Sequence, residues 1–173
     1  MNDDRTVGDI TAHAGIRVAQ DGSVLVDSLP YGGLGIDVKD GTIQQTVVAN
    51  VWETMNFAHS ERYSTVIPDP AVGTLVPAQA GLYLVTFTCT LTCSGQSAQY
   101  WFALMKNGLY EGVRCGVFLY TGQYHSGAFS CFKSAVKGDA FNVNISAASN
   151  DTATIEQAQF NMVRVGAIAQ TLA

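Results

Sequence analysis

Gly81-Leu82-Tyr83-Leu84-Val85-Thr86-Phe87-Thr88-Cys89-Thr90-Leu91-Thr92-Cys93 is the stretch that decides the fold. Tyr83, Val85, Phe87, Cys89, Leu91 and Cys93 fall on one side of a period of two. Thr86, Thr88, Thr90 and Thr92 fall on the other, behind Leu82 and Leu84. Side chains alternate across a strand and nowhere else with that period, so the stretch reads as one long strand with an apolar face and a hydroxyl face. Val, Phe, Tyr and Thr also suit a half-buried pleated surface. Pro77-Ala78-Gln79-Ala80-Gly81 is a turn signal that starts the strand.

The same alternation decides what two of the cysteines are. Cys89 and Cys93 lie four residues apart, which in a strand is roughly 13 Å. A disulfide needs Cα atoms about 5.5–6 Å apart. With Cys115 and Cys131 there is still no C-x-x-C pair and no histidine at ligand spacing, so zinc is not indicated. The four are read as buried free thiols, which fits folding in a reducing cytoplasm.

Charged residues make up only 13% of the 173, and the net charge is −5. An acidic chain with scattered basic residues lacks the basic stripe that nucleic-acid binding requires, so no nucleic-acid partner is expected. No apolar run approaches the roughly 20 residues of a membrane span, and the opening MNDDRTVGD carries no leader-like apolar segment. Neither a membrane partner nor secretion is expected.

Turn signals recur through the rest of the chain. Asn107-Gly108 favours a two-residue hairpin between Tyr100–Lys106 and Leu109–Tyr120. Gly122–Gly127, Lys137-Gly138-Asp139 and Asn150-Asp151 separate strands over 128–136, 141–146 and 154–168. Pro68-Asp69-Pro70 reads as a rigid turn before a short strand at 72–77. Residues 47–57 read as a strand ending near Trp52, and 59–66 as a loop. Near the start, Gly15-Ile16-Arg17-Val18 and Gly35-Ile36-Asp37-Val38 each precede an Asp-Gly pair and a β-branched residue, which predicts two hairpins, over 15–27 and 35–48. Such hairpins are not stable alone in water. They either dock and intertwine with a partner or add edges to the main domain. The chain is therefore divided into a 1–46 arm and a 47–173 domain. Many strands with no convincing helix predict an all-β, antiparallel jelly-roll sandwich with an N-terminal β-hairpin arm.

Residues 63 to 168 resemble the C1q/tumour-necrosis-factor-like jelly roll. The resemblance is carried by Tyr63-Ser64, by Gly73-Thr74-Leu75-Val76-Pro77 leading into Ala80-Gly81-Leu82-Tyr83-Leu84-Val85, and by Leu104-Met105-Lys106-Asn107-Gly108. Gly127 before a strand, Lys137-Gly138-Asp139-Ala140-Phe141 and the closing strand around Phe160 complete it. Ala135 and Val136 stand where that family usually has a leucine, and residues 1–46 lie outside the match. The resemblance implies a homotrimer with aromatics near a threefold axis. The residues it proposes for that interface are Tyr83, Phe87, Tyr100, Trp101, Phe102 and Phe160. Large aromatics dominate cores and interfaces alike, so residue type does not separate the two roles.

No nucleophile elbow, HExxH or phosphate-cradling loop is present, and His13, His59 and His125 are far apart in sequence. Glu111, Asp139, Asp151 and Glu156 read as solvated turn or strand-end residues. No enzyme, cofactor or metal is expected. The expected function is that of a structural virion protein. It would be a trimeric decoration or cement protein on a bacteriophage capsid, assembled in the host cytoplasm and bound to the major capsid protein. Ile16, Val18, Val24, Tyr31, Ile36, Val38 and Ile43 are the docking residues of its arm. The alternative is the receptor- or glycan-binding tip of a phage fibre, where exposed tyrosines and Trp101 would stack on sugars.

Overall fold

The computed structural model describes residues 16–18, 24–26, 31–37, 41–95 and 98–166. Among these there is no helix, and so none long and apolar enough to cross a membrane. The strands in chain order are β1 (Ile16–Val18), β2 (Val24–Val26), β3 (Tyr31–Ile36), β4 (Ile43–Val47), β5 (Glu53–Thr54), β6 (His59–Ser60) and β7 (Val66–Asp69). They continue as β8 (Thr74–Pro77), β9 (Gly81–Cys93), β10 (Ala98–Lys106), β11 (Leu109–Leu119), β12 (His125–Ala135), β13 (Phe141–Ala147) and β14 (Asp151–Gly166).

Two antiparallel sheets face each other. One runs β12-β9-β14-β3-β6, with β4 also on β14; the other runs β11-β10-β13-β8-β7, with β5 on β13. This is a jelly-roll sandwich. The strand over 81–93 is hydrogen-bonded on both sides, to β12 and to β14, and every residue of its apolar face is buried. Phe87 reaches the opposite sheet, where its ring lies 5.3 Å from that of Phe102, and it also meets Phe129 at 5.2 Å. Apolar burial of this kind is the main force holding the two layers together.

The Asn107-Gly108 turn takes positive φ at both residues, 51° and 77°, as a primed hairpin turn requires. The Asn107 side chain also leaves its own hairpin. Its Nδ2 donates to Asp139 Oδ1 at 2.8 Å, and its Oδ1 accepts from the Ala140 amide at 2.8 Å. Lys106 Nζ lies 3.0 Å from Asp139 Oδ2, which also accepts from the Val136 amide at 2.9 Å. Two turns that look unrelated in sequence are thus clamped to one another through a buried carboxylate.

Four expectations are corrected. Residues 35–48 do not form a hairpin. β3 and β4 each pair antiparallel with β14, Leu34 opposite Phe160 and Val47 opposite Asp151, so they run one after the other along the same edge. Sixteen residues of β14 offer more backbone partners than a local turn could. Tyr31–Ile36 and Ile43–Val47 are consequently strands of the jelly roll rather than of an arm. The proposed strand over 47–57 is broken: β4 ends at Val47, the chain crosses to the other sheet, and Trp52 is exposed. Pro68 lies within β7 rather than in a turn. That strand is the outermost of its sheet, where a missing N–H is tolerated. The segment 59–66, read as a loop, contains the two-residue β6 on β3 and the first residue of β7.

Burial by itself would raise the Asp139 carboxyl. Bonds from the Val136 amide and from Asn107, then Lys106, outweigh it and hold the group below its ordinary value of 3.8. A carboxyl depressed on folding stabilises the fold above its unfolded value and loses that contribution as pH falls through the folded value. Thermal unfolding followed from pH 7 downward should therefore show a step of destabilisation below about pH 4. Asp139→Asn should lower stability at neutral pH by about 1–3 kcal/mol and abolish the step.

Candidate interaction surfaces

The face of β9 that does not enter the core looks outward with its neighbours. Row by row across β12, β9 and β14 it presents Ser126, Thr90 and Gln157, then Ala128, Thr88 and Gln159, then Ser130, Thr86 and Asn161. The next row is Phe132, Leu84 and Val163, with Phe132 63% exposed. No residue in these four rows carries a charge. Glu156 stands beside them, where the register between β9 and β14 slips by a residue. Thr90 and Ser126 hydroxyls bond to each other at 2.9 Å, and a shallow hollow opens between Thr88, Thr90, Ser126, Gln157 and Gln159, with Asp37 on its rim. Four rows of hydroxyls, amides and apolar groups, with the carboxylates of Asp37 and Glu156 only at their border, are well suited to being covered by another surface.

The aromatics named from sequence lie elsewhere. Tyr83, Phe87, Tyr100, Phe102 and Phe160 are each 0% exposed and form the protomer's own core. A side chain with no accessible surface cannot contact a neighbour, so these five are corrected to core residues. Their parity with Cys89 and Leu91 was the signal available for the two on β9. Trp101 is half-buried on the outer side of the other sheet. Its ring crosses Gly116, where a Cβ would lie 2.5 Å from a ring carbon, and Arg114 sits 5.0 Å from its centre. It belongs with neither the core aromatics nor the uncharged face.

Of the arm residues, Ile16, Val18 and Val24 belong to β1 and β2, which pair with each other in a two-stranded sheet joined to neither large one. This hairpin lies where the sequence places it. Tyr31 and Ile36 are in β3, Ile36 buried, and Ile43 is in β4 and packs against the core. They are therefore sheet residues rather than free docking groups. Val38 lies outside the described residues.

Among the described residues the histidines are not brought together. His59 stands on β6 with Nε2 3.2 Å from Glu61, His125 begins β12, and His13 lies outside the described residues. Among the described residues no three His, Cys, Asp or Glu side chains could hold a metal ion. Glu111 pairs with Lys133 at 3.1 Å. Asp139 and Asp151 are buried, not solvated as the sequence suggests; Asp151 Oδ1 accepts from Gly95 N at 2.9 Å, Thr152 N at 2.7 Å and Ser94 Oγ at 3.2 Å. The four cysteines are free. Burial pushes the Cys89 thiol up to about 12, which the Gly127 backbone lowers slightly and Cys115 raises. A thiol reagent at pH 8 should therefore leave Cys89 and Cys93 unmodified in the native protein and label both once it is unfolded. Rapid native labelling of either would contradict their place on the inner face of β9.

No protein-family model matches the chain, and no curated protein matches it. Solved structures do. The globular domain of a zebrafish complement C1qA protein aligns with a TM-score of 0.60 at 13% identity, covering 80% of this chain and 99% of that one. The Eiger TNF of S. frugiperda aligns at 0.58 and 11% identity, covering 83% and 98%. The PRD1 vertex protein P5 aligns at 0.57 and 14% identity, covering 91% and 85%. The chain has the C1q/TNF-like jelly-roll fold, as the turn motifs of the sequence suggest.

Proposed function

We propose that this chain is a structural virion protein of a bacteriophage: a trimeric jelly-roll knob that decorates the capsid and is held to the major capsid protein by its N-terminal segment. The observation that carries the reading is the uncharged outer face of β12, β9 and β14. Three copies arranged around an axis would cover that face, and the apolar row of Phe132, Leu84 and Val163 would lose its contact with water. A C1q/TNF-like trimer is what the sequence resemblance implies. The likeness to a phage vertex protein supports a place on a virion.

The β1–β2 hairpin supports the docking half of the reading, because it adds to neither sheet and needs another surface to be stable. A protein that binds only the assembled shell stabilises it by mass action. β3 and β4 are paired into the sheet, so the informative truncation removes residues 1–30 alone. The truncated chain should keep its unfolding midpoint and its oligomeric mass yet no longer co-sediment with assembled shells. Full decoration by the truncated chain would remove the arm from the account.

The interface makes its own prediction. Phe132→Glu places a charge at the β12 end of the apolar row, where the side chain is 63% exposed and the protomer fold does not use it. Light scattering should then report a shift from three copies toward one, with circular dichroism unchanged.

A further inference from the structure

We infer that the end of the sandwich opposite the arm is a recognition surface for a neutral, polyhydroxylated ligand, a glycan, with Trp52, Tyr120 and Tyr124 as its stacking platforms. The inference uses a different surface from the trimer face and does not depend on whether the arm docks on a shell.

Strand direction defines the two ends. Tyr31 pairs with Val163 and Gly166 with Leu82, so the arm joins the sandwich beside the last residues of β14. At the other end Val47 meets Asp151, Ala153 meets Cys93 and Ala98 meets Leu119. The connections at that far end are 48–52, 94–95, 120–124 and 148–150. All of their exposed side chains are uncharged, and they are rich in Asn, Gln, Ser, Thr and Gly. Val48, Val51, Trp52, Tyr120 and Tyr124 stand out of them at 41–65% exposure. Half-buried Glu53 and buried Asp151 are the carboxylates that border this end.

These loops are tied to one another. The side-chain Oδ1 of Asn150 accepts from the Ala49 amide at 2.7 Å, and the Asn50 backbone amide donates to Ala147 O at 2.8 Å. Asp151 holds Ser94 and Gly95 from below, and the Thr121 hydroxyl donates to Gly95 O. The exposed rings are therefore presented on a braced base. Preorganised aromatics reduce the entropy lost on binding, and Tyr and Trp among Ser, Gly and Asn is the composition that paratopes use. The loops at 48–52 and 120–124 flank opposite sides of this end, separated by about three strand spacings, roughly 14 Å. Amide and hydroxyl groups lie between them. Aromatic faces with neutral donors and acceptors fit the C–H faces and hydroxyls of a sugar chain. These loops carry no Lys or Arg, and the His125 ring that borders them is packed 5.9 Å from that of Tyr120, so an anionic ligand is a poor match.

The test is to screen the full-length chain against immobilised neutral oligosaccharides and against oligosaccharides bearing uronic or sialic acids. Binding to at least one neutral glycan is expected, with Trp52→Ala and Tyr124→Ala each weakening it about tenfold while leaving the unfolding midpoint unchanged. Both side chains are exposed, so neither substitution should impair folding. Failure to bind any neutral glycan, a preference for the acidic ones, or binding that survives both substitutions would overturn the inference.

Discussion

Phe87 against Phe102, ring centres 5.3 Å apart, is the contact on which the sandwich depends. Phe87 stands at the middle of a thirteen-residue strand that is bonded on both sides, and Phe102 stands on the strand facing it. Closing the two sheets on that pair buries the apolar side of β9 completely and turns its threonine side outward. One strand thereby serves two purposes through its period of two. Its even-numbered residues build a surface, and its odd-numbered residues build the core.

The rest of the architecture follows from fitting chain around that strand. β14 is long enough to serve β9 on one edge and both β3 and β4 on the other. The turn after β10 and the turn before β13 are joined by Asp139, whose burial is tolerated because amide, side-chain amide and ammonium groups all donate to it. At the far end Asp151 does the same for the loops, with two backbone amides and a serine hydroxyl on one oxygen. Both carboxylates read as surface residues in the sequence, since the groups that satisfy them come from distant segments.

What could be read from sequence was what depends on short range. The alternation of 81–93, the Asn107-Gly108 hairpin and the first Asp-Gly hairpin are local patterns, and each appears where expected. The second Asp-Gly repeat carries the same local signal, yet the strands on either side of it, β3 and β4, both pair with β14, whose long edge outcompetes a two-residue turn. The six aromatics show the opposite limit. Their type suits either a core or an interface; the alternation of 81–93 already puts Tyr83 and Phe87 on the apolar side, and the fold adds Tyr100, Phe102 and Phe160 to the core and Trp101 to the outer side of the second sheet. The loop aromatics Trp52, Tyr120 and Tyr124 follow no period at all. Their common location appears only when four connections are brought to one end of the sandwich.

The claim that β9 divides the labour between fold and assembly can be measured at two adjacent positions. Phe87→Ala and Thr88→Arg change neighbouring residues on opposite faces of the strand. Unfolding and solution mass should be determined for both. The account predicts that Phe87→Ala lowers stability by about 3–5 kcal/mol. It predicts that Thr88→Arg leaves the unfolding of the protomer unchanged but takes the mass from three chains to one. A Thr88→Arg protein that remains an intact trimer would contradict it.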